Sequence, residues 1–387
     1  MTRIEAGWLD TKSTQSVFSM LTEPGYQAFA VGGCVRDSLL GVCVKDIDIS
    51  TDARPERVVE LAEAAGFHAV PTGIEHGTIT VVANGVPHEV TTFRRDVETD
   101  GRRAVVAFAH SIDEDARRRD FTMNALYADQ AGEVHDPIGG LPDLEARRIR
   151  FIEDAGTRIR EDFLRSLRFF RFHAWYGDPA QGFDDEAIAA IAAHVDGLAT
   201  LSRERIGAEV LKLLAAPDPA PAVAGMKSTG VLRAIMPGSD DRALAPLVHL
   251  EGLAGVAPDA LRRLAVLGGE DLRIGLRLSR KDAARLADIR AATGLSAREA
   301  GYRLGAATAR DSHLVAAASA GVLVDHEALE AGADAANRTF PIRAADLMPD
   351  FVGPQLGRVM ARLEQEWIDS GFSLSREDLL ESAGNEG

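Results

Sequence analysis

Between residues 26 and about 137, short apolar runs alternate with amphipathic helical stretches. "AFAVGG", "DIDIST", "GTITVVA" and "HEVTTF" have the composition and period of strands. Asn84-Gly85, set between the last two, predicts a two-residue hairpin. "RPERVVELAEAAG" predicts a helix that ends at Gly66 and carries Pro55 near its first turn. After about residue 145 the strand signals fade. Apolar positions then recur at helical spacing, as in "REDFLRSLRFFRFHAW" and "RERIGAEVLKLLAA". Breaks near "GDPAQG", "APDPAP", "MPGSDD" and "FVGPQLG" divide these helices into groups, with no internal repeat. The pattern predicts an α+β fold: a head with a small mixed β-sheet flanked by helices, followed by an all-helical remainder.

A length of 387 residues allows two or more cores. Hydrophobic content of 46% and charged content of 26% suit a soluble globular protein. No apolar stretch is long enough for a bilayer, and the N-terminus lacks a signal core. Only Cys34 and Cys43 are present, which argues against a disulfide framework and for a reducing cytoplasm. The net charge of −16 disfavours nucleic-acid binding when taken alone. The charge is uneven, however. Arginines crowd residues 94 to 171, in "FRRD", "DGRRA", "ARRRDF", "EARRIR" and "RIREDFLRSLRFFRF", which leaves room for a local basic groove.

The densest candidate chemistry lies in "AFAVGGCVRDSLLGVCVKDIDIST", residues 28 to 51. Asp46 and Asp48 are two apart on a strand-like run, so both carboxylates are expected on one side. Two such charges call for a cation, and hard oxygen donors suit magnesium. Gly32 and Gly33 permit a tight turn before a helix whose N-terminus favours anions, and Arg36 adds a fork suited to phosphate. A triphosphate held beside a carboxylate-bound metal accounts for the whole stretch. Glu89, on the second arm of the hairpin, is either a third carboxylate for the metal or an exposed strand residue. His110 and His135 lack ligand-spaced partners, and "VDHE" at residues 324 to 327 reverses the His-Asp phosphohydrolase order. Asp113 to Asp115 are expected to cap the helix carrying Arg117 to Arg119.

The pattern resembles the head of the nucleotidyltransferase superfamily. Further motifs resemble class II tRNA nucleotidyltransferases, the CCA-adding enzymes and their bacterial poly(A) polymerase relatives. "RRDFTMNALY" (118–127) looks like a ribose-recognition motif, "DPIGGLPDLEARRIR" (136–150) like a hinge, "REDFLRSLRFFRF" (160–172) like a templating helix, and "LSRERIGAEVLKLL" (201–214) like its brace. The resemblance implies a catalytic head over 1–145, a neck over 146–215, a helical body over 216–310 and a tRNA-binding tail over 311–387. It implies catalysis and magnesium binding at Asp46 and Asp48, and Glu89 stands beside them as the candidate third catalytic carboxylate from its place on the hairpin. It implies nucleotide contacts at Gly33, Arg36, Arg119, Asp162, Arg165, Arg168 and Arg171. The implied partners are tRNA, CTP and ATP, with no membrane and no protein partner.

The side chains themselves support the nucleotide assignment. Asp162, Arg165, Arg168 and Arg171 recur every three residues on an expected helix, and so share a slowly drifting face. A carboxylate accepts from an exocyclic amino group, and an arginine donates to ring nitrogen and carbonyl acceptors. Cytosine and adenine offer that edge, whereas uracil and guanine do not. Three alternatives stand beside CCA addition: A-only addition, poly(A) synthesis on the same fold, and non-catalytic tRNA binding. "GIEHGTITVVANG" (73–85) lacks the arginine-rich strand associated with the poly(A) relatives. Residues 94–115 are long enough for the flexible loop that CC-only relatives lack.

Overall fold

The computed structural model describes residues 2–74, 77–99 and 104–384. The chain divides into two compact units, one formed by residues 1–213 and 221–235, the other by 214–220 and 236–387.

The first unit is built on a seven-stranded sheet. Its strands are β1 (Ala28–Val31), β2 (Asp48–Thr51), β3 (His68–Gly73), β4 (Thr78–Ala83), β5 (Val86–Thr92), β8 (Tyr127–Ala128) and β9 (Val134–His135), in the order β3-β4-β5-β2-β1-β8-β9. The β2–β5 pair is parallel and the other pairs are antiparallel, so the sheet is mixed as expected. Asn84 (φ 52°) and Gly85 (φ 80°) form the predicted turn, with Ala83 paired to Val86. β3 carries Pro71 and lacks a strand signature. It is tolerated because it lies at the sheet edge, where a missing N–H costs no ladder bond.

Helices α1 (Lys12–Thr22), α2 (Gly33–Leu39), α3 (Pro55–Ala64) and α4 (Ile112–Arg117) accompany the sheet. The segment 94–115, expected as a loop, contains a second ribbon: β6 (Arg94–Thr99) pairs antiparallel with β7 (Ala104–Phe108). Residues 100–103 of that segment, and 75–76 of the stretch used to weigh poly(A) synthesis, lie outside the described residues. The cap of α4 is Ser111, whose hydroxyl accepts the Glu114 amide at 3.4 Å; the expected Asp113–Asp115 instead fill its first turn.

Helices follow: α5 (Leu141–Glu145), α6 (Ala155–Glu161), α7 (Leu164–Tyr176), α8 (Asp185–Ala193), α9 (Arg203–Leu214), α10 (Ala220–Ser228) and α11 (Val231–Ile235). The apolar side of α7 enters an aromatic cluster in which Phe169 stacks on Phe151 at 5.7 Å and Phe172 meets Phe121 at 5.0 Å. The expected hinge is tightly pinned. Fully buried Asp143 accepts from Thr122 Oγ1 (2.7 Å), Arg148 Nε (2.8 Å) and Arg150 Nε (2.9 Å).

The second unit is helical: α12 (Leu244–Leu253), α13 (Ala260–Leu267), α14 (Leu272–Gly275), α15 (Arg280–Ala292), α16 (Ala297–Leu304), α17 (Ala306–Ala320), α18 (His326–Ala335), α19 (Gly353–Asp369) and α20 (Arg376–Gly384). A buried ionic network ties α12, α13 and α17. Glu251 accepts from Arg262 Nε (2.8 Å) and Arg263 Nε (3.0 Å), and Asp311 accepts from Arg262 Nη1 (2.9 Å). Among the described residues, no helix is long and apolar enough to cross a membrane.

Candidate nucleotide site

β1 ends at Val31, and the chain turns at Gly32 with φ +72° into α2. A Cβ at Gly32 would sit 3.5 Å from Arg119 Nη1, on a backbone that side chains rarely adopt. The positive φ is what calls for glycine here, since 3.5 Å to a guanidinium nitrogen is ordinary contact. Arg119 is clamped: Nη2 donates to Asp115 (2.9 Å), Nε to Tyr127 Oη (3.1 Å), and Nη2 also to Ser50 Oγ (3.4 Å). Burial pushes the Asp115 carboxyl up, but Arg119 and Arg118 reverse this and hold it below the usual carboxylate range.

β2 begins at Asp48, not Asp46; Asp46 lies in the preceding loop and is exposed. In the parallel β2–β5 pair, Asp48 stands directly opposite Glu89, so the two side chains share a face. The Asp48 carboxyl is pushed up to about 6, first by burial, then by Glu89, with Arg119 opposing and Asp46 adding a smaller push. Asp48 therefore senses the charges of Glu89, Arg119 and Asp46. Among the described residues, no group of three or more His, Cys, Asp and Glu side chains gathers tightly enough to hold a metal ion unaided. The donor chemistry nevertheless fits a hard divalent cation. Asp46 and Asp48 offer carboxylate oxygens two residues apart, and such cations commonly complete their shells with water and substrate phosphate. Cys34, behind this strand, is inert: burial pushes its thiol up to about 11.

Arg36 departs from the expected free phosphate fork. Only 6% exposed, it donates to Asp37 (Nε, 2.8 Å), Asn124 Oδ1 (Nη1, 2.6 Å) and Tyr176 Oη (Nη2, 2.8 Å), and lies 3.9 Å over the Tyr176 ring. Gly33 opens α2 beside it, and the hypothetical Gly33 Cβ would lie 3.8 Å from Arg36 Nη2. Asn124 passes the network on through Nδ2 to Asp120 Oδ1 (3.1 Å), and Asp120 Oδ2 accepts from Arg168 Nε (2.7 Å). Asn124 itself belongs to a short 3₁₀ turn, Thr122–Asn124.

Asp162 also departs from expectation. It caps the C-terminus of α6 in extended backbone, outside the helix that carries the arginines, and Phe163 precedes α7. Its carboxylate accepts the Leu164 amide (3.1 Å) and Arg205 Nη2 (2.7 Å). Arg165 pairs with Glu161 and donates to the carbonyls of Arg158 (2.9 Å) and Arg118 (3.0 Å). Arg171 Nε donates to Glu209 at 2.6 Å. The three arginines of α7 do share a face, each against a carboxylate. Arg165 and Arg168 tie that face to residues 118–120, which follow α4. Sequence reasoning missed the counter-ions Glu161, Arg205 and Glu209 and the stacking partner Tyr176. Glu161 lay inside the quoted templating motif and Arg205 and Glu209 inside the brace motif, but neither motif marked them as counter-ions.

Residues 28–150 match the family described as the poly A polymerase head domain. Residues 182–242 match one described as a "Probable RNA and SrmB-binding site of polymerase A". The chain is 39% identical over 207 residues to the human mitochondrial CCA tRNA nucleotidyltransferase 1, covering 53% of this chain and 48% of that protein. It is 44% identical over 205 residues to the CCA-adding enzyme of Streptococcus pyogenes serotype M2, covering 52% and 49%. The chain thus spans about half the length of the curated relatives it matches. The Bacillus stearothermophilus CCA-adding enzyme, solved in complex with CTP, superposes with a TM-score of 0.72 at 28% identity, covering 96% of each chain. The Thermotoga maritima CCA-adding enzyme complexed with tRNA shares the fold, with a TM-score of 0.72 at 18% identity and 99% coverage of both chains. The glycine turn and its neighbouring carboxylates thus lie within the segment, residues 28–150, that matches the poly A polymerase head domain, and the chain is similar to CCA-adding enzymes in that segment and in fold.

Proposed function

We propose that the protein adds C, C and A to the 3′ end of tRNA, using CTP and ATP and releasing pyrophosphate. The observation that carries this reading is the Asp48–Glu89 cross-strand pair, with Asp46 beside it, facing an arginine-lined glycine turn. Relatives named as CCA-adding enzymes support the choice of substrate. Asp46 and Asp48 would hold divalent cations, magnesium by the preference for hard oxygen donors, with Glu89 completing the acidic edge. Such cations, when bound, supply Lewis-acid activation of the attacking hydroxyl and neutralise phosphate charge.

The 3′-hydroxyl of tRNA gives up its proton to solvent as its oxygen bonds to the α-phosphorus, and the bond from that phosphorus to the bridging oxygen breaks. Pyrophosphate leaves with the electron pair. Arg119, clamped by Asp115 and Tyr127, presents a fixed cation to the nucleotide at the Gly32–Gly33 turn. Arg168 and Arg171 take triphosphate oxygens in exchange for Asp120 and Glu209. Asp162 and Arg165 select the base, each already oriented by a protein partner. Arg36 shapes the turn from beneath and reaches a phosphate only by giving up Tyr176 or Asn124.

The test offers the purified protein a tRNA lacking its 3′ CCA, with labelled CTP and ATP separately and together. Incorporation of two C and one A is expected. Only A on a CC-ended tRNA would establish A-only addition, and a run of A would establish poly(A) synthesis. No incorporation despite tRNA binding would overturn the enzymatic reading.

A further inference from the structure

Arg36 of α2 is tied to α7 by two separate routes. Its guanidinium carbon lies 3.9 Å over the ring of Tyr176, the last residue of α7, and Nη2 donates to Tyr176 Oη at 2.8 Å. Nη1 donates to Asn124 Oδ1 at 2.6 Å, and the chain from Asn124 through Asp120 returns to α7 at Arg168. Arg168 lies roughly 12 Å before Tyr176 along the helix axis. Between the two ties, Phe172 forms a floor. The guanidinium carbons of Arg36, Arg168 and Arg171 stand 5.2, 5.4 and 4.5 Å from its ring centre, and Tyr176 packs on the same ring at 5.5 Å.

One tie between two helices is a pivot. Two ties set apart along α7 fix both the spacing and the tilt of α2 against it. The charge of Arg36 does not require Tyr176, because Asp37, the next residue, already pairs with it at 2.7 Å. Packing does not require the phenol either, because phenylalanine would fill the same space. The hydroxyl adds direction: it accepts one N–H of a guanidinium whose face is held by the ring below. Arg36 in turn sits behind the Gly32–Gly33 turn, so whatever holds Arg36 holds that turn. We infer that Tyr176 is a positioning residue which, through Arg36, sets the register between the glycine turn and the arginine row of α7, so that one nucleotide meets both. The inference rests on the proposed nucleotidyl transfer for the identity of that nucleotide. Loss of Tyr176 moves the phosphates relative to the residues that read the base, and small misplacements of a reacting group are costly.

The test compares kcat/KM for CTP and UTP on a tRNA lacking CCA, beside equilibrium dialysis of labelled CTP and UTP. It uses the full chain and its Tyr176→Phe and Tyr176→Leu variants. Tyr176→Phe keeps the ring and loses the oxygen, and should lower kcat/KM for CTP by about 10-fold, the loss expected of one hydrogen bond to a charged group. Tyr176→Leu loses the stack as well and should lower it by about 100-fold. The preference for CTP over UTP should narrow in the same order. A fraction of unfolded protein lowers both nucleotides alike and leaves that ratio unmoved, so the ratio separates register from stability. Tyr176→Phe serves if Tyr176→Leu fails to fold. In an Arg36→Met background Tyr176→Phe should add nothing, because no guanidinium remains to be held. Wild-type preference ratios in the Tyr176 variants, or full additivity with Arg36→Met, would overturn the positioning role while leaving nucleotide addition intact. A wild-type protein that binds CTP in preference to UTP but adds neither would overturn the activity. A preference narrowed in dialysis by the variants would then leave the positioning role standing.

Discussion

Replacing Asp48 by asparagine should stabilise the metal-free protein while removing its activity. The side chain keeps its size and loses a charge that the fold disfavours. Burial, with Glu89 opposite and Asp46 nearby, raises the folded-state value from 3.8 to about 6. A carboxyl raised in this way contributes stability that is fully present below its unfolded value of 3.8. That contribution is lost as pH rises through 6. At 1.36 kcal/mol per unit, the penalty above pH 7 is about 3 kcal/mol. The neutral amide carries none of it. The variant should therefore gain about 3 kcal/mol at pH 7.5 and about 0.5 kcal/mol at pH 4. For a unit of this size that is a rise in Tm of several degrees at the higher pH.

The assay is urea unfolding in chelator. It is followed by the fluorescence of Trp8 and Trp175 in a Trp367→Phe background, so that the first unit alone reports. Magnesium should then stabilise the wild type, because it binds only the folded carboxylates, and should leave the variant nearly unmoved. A variant no more stable than wild type at pH 7.5, or equally stabilised at both pH values, would refute the argument that these carboxylates are crowded and desolvated.

Other expectations follow from single contacts. Glu251→Ala leaves Arg262 and Arg263 buried without their shared carboxylate, and should cost about 3–5 kcal/mol in chemical denaturation. Arg165→Ala should weaken use of both CTP and ATP and relax rejection of UTP, on the order of 1–3 kcal/mol per contact in kcat/KM; unchanged preference ratios would remove Arg165 from base selection. Arg168→Ala should instead lower use of all four nucleotides about equally, because all carry the same phosphates. Shortening residues 96–110, which removes most of the β6–β7 ribbon, should spare C addition and impair A addition in a primer-extension assay.

The elements that were legible are those written in local chemistry. Asn84-Gly85 has one low-energy solution between two strands, and the structure adopts it. The strand carrying Asp48 and the helix carrying Arg165, Arg168 and Arg171 follow from side-chain period. What the sequence does not show depends on distant partners. Pro71 hides a strand that only an edge position permits. Arg36 reads as a phosphate fork because its neighbours Asp37 and Gly33 are all the sequence shows. The partners that hold it in the fold, Asn124 and Tyr176, lie 88 and 140 residues away. Asp162 keeps the three-residue spacing but not the helix, because its own side chain caps the Leu164 amide and the backbone extends there. The Glu251 network was invisible for the same reason: Arg262 reaches Asp311 across 49 residues.

The pairing of every α7 arginine with a carboxylate bears on how so acidic a chain handles polyanions. Three unpaired guanidinium groups on one helix face would repel one another and attract any phosphate. With Glu161, Asp120 and Glu209 in place, the row is locally neutral, and a ligand must displace these partners to gain the arginines. Exchange of one charge-assisted bond for another yields little net energy per contact. Affinity then depends on making several exchanges at once, which requires the phosphates and the base edge of one nucleotide to meet the row in register. A free phosphate or a mispositioned RNA segment makes one exchange and gains almost nothing. On the proposed function, the carboxylates are thus part of the selectivity. Asp120→Asn, which keeps the Asn124 contact but weakens the hold on Arg168, should raise affinity for inorganic pyrophosphate more than affinity for CTP. Equal tightening for both ligands would show that the counter-ions serve stability alone.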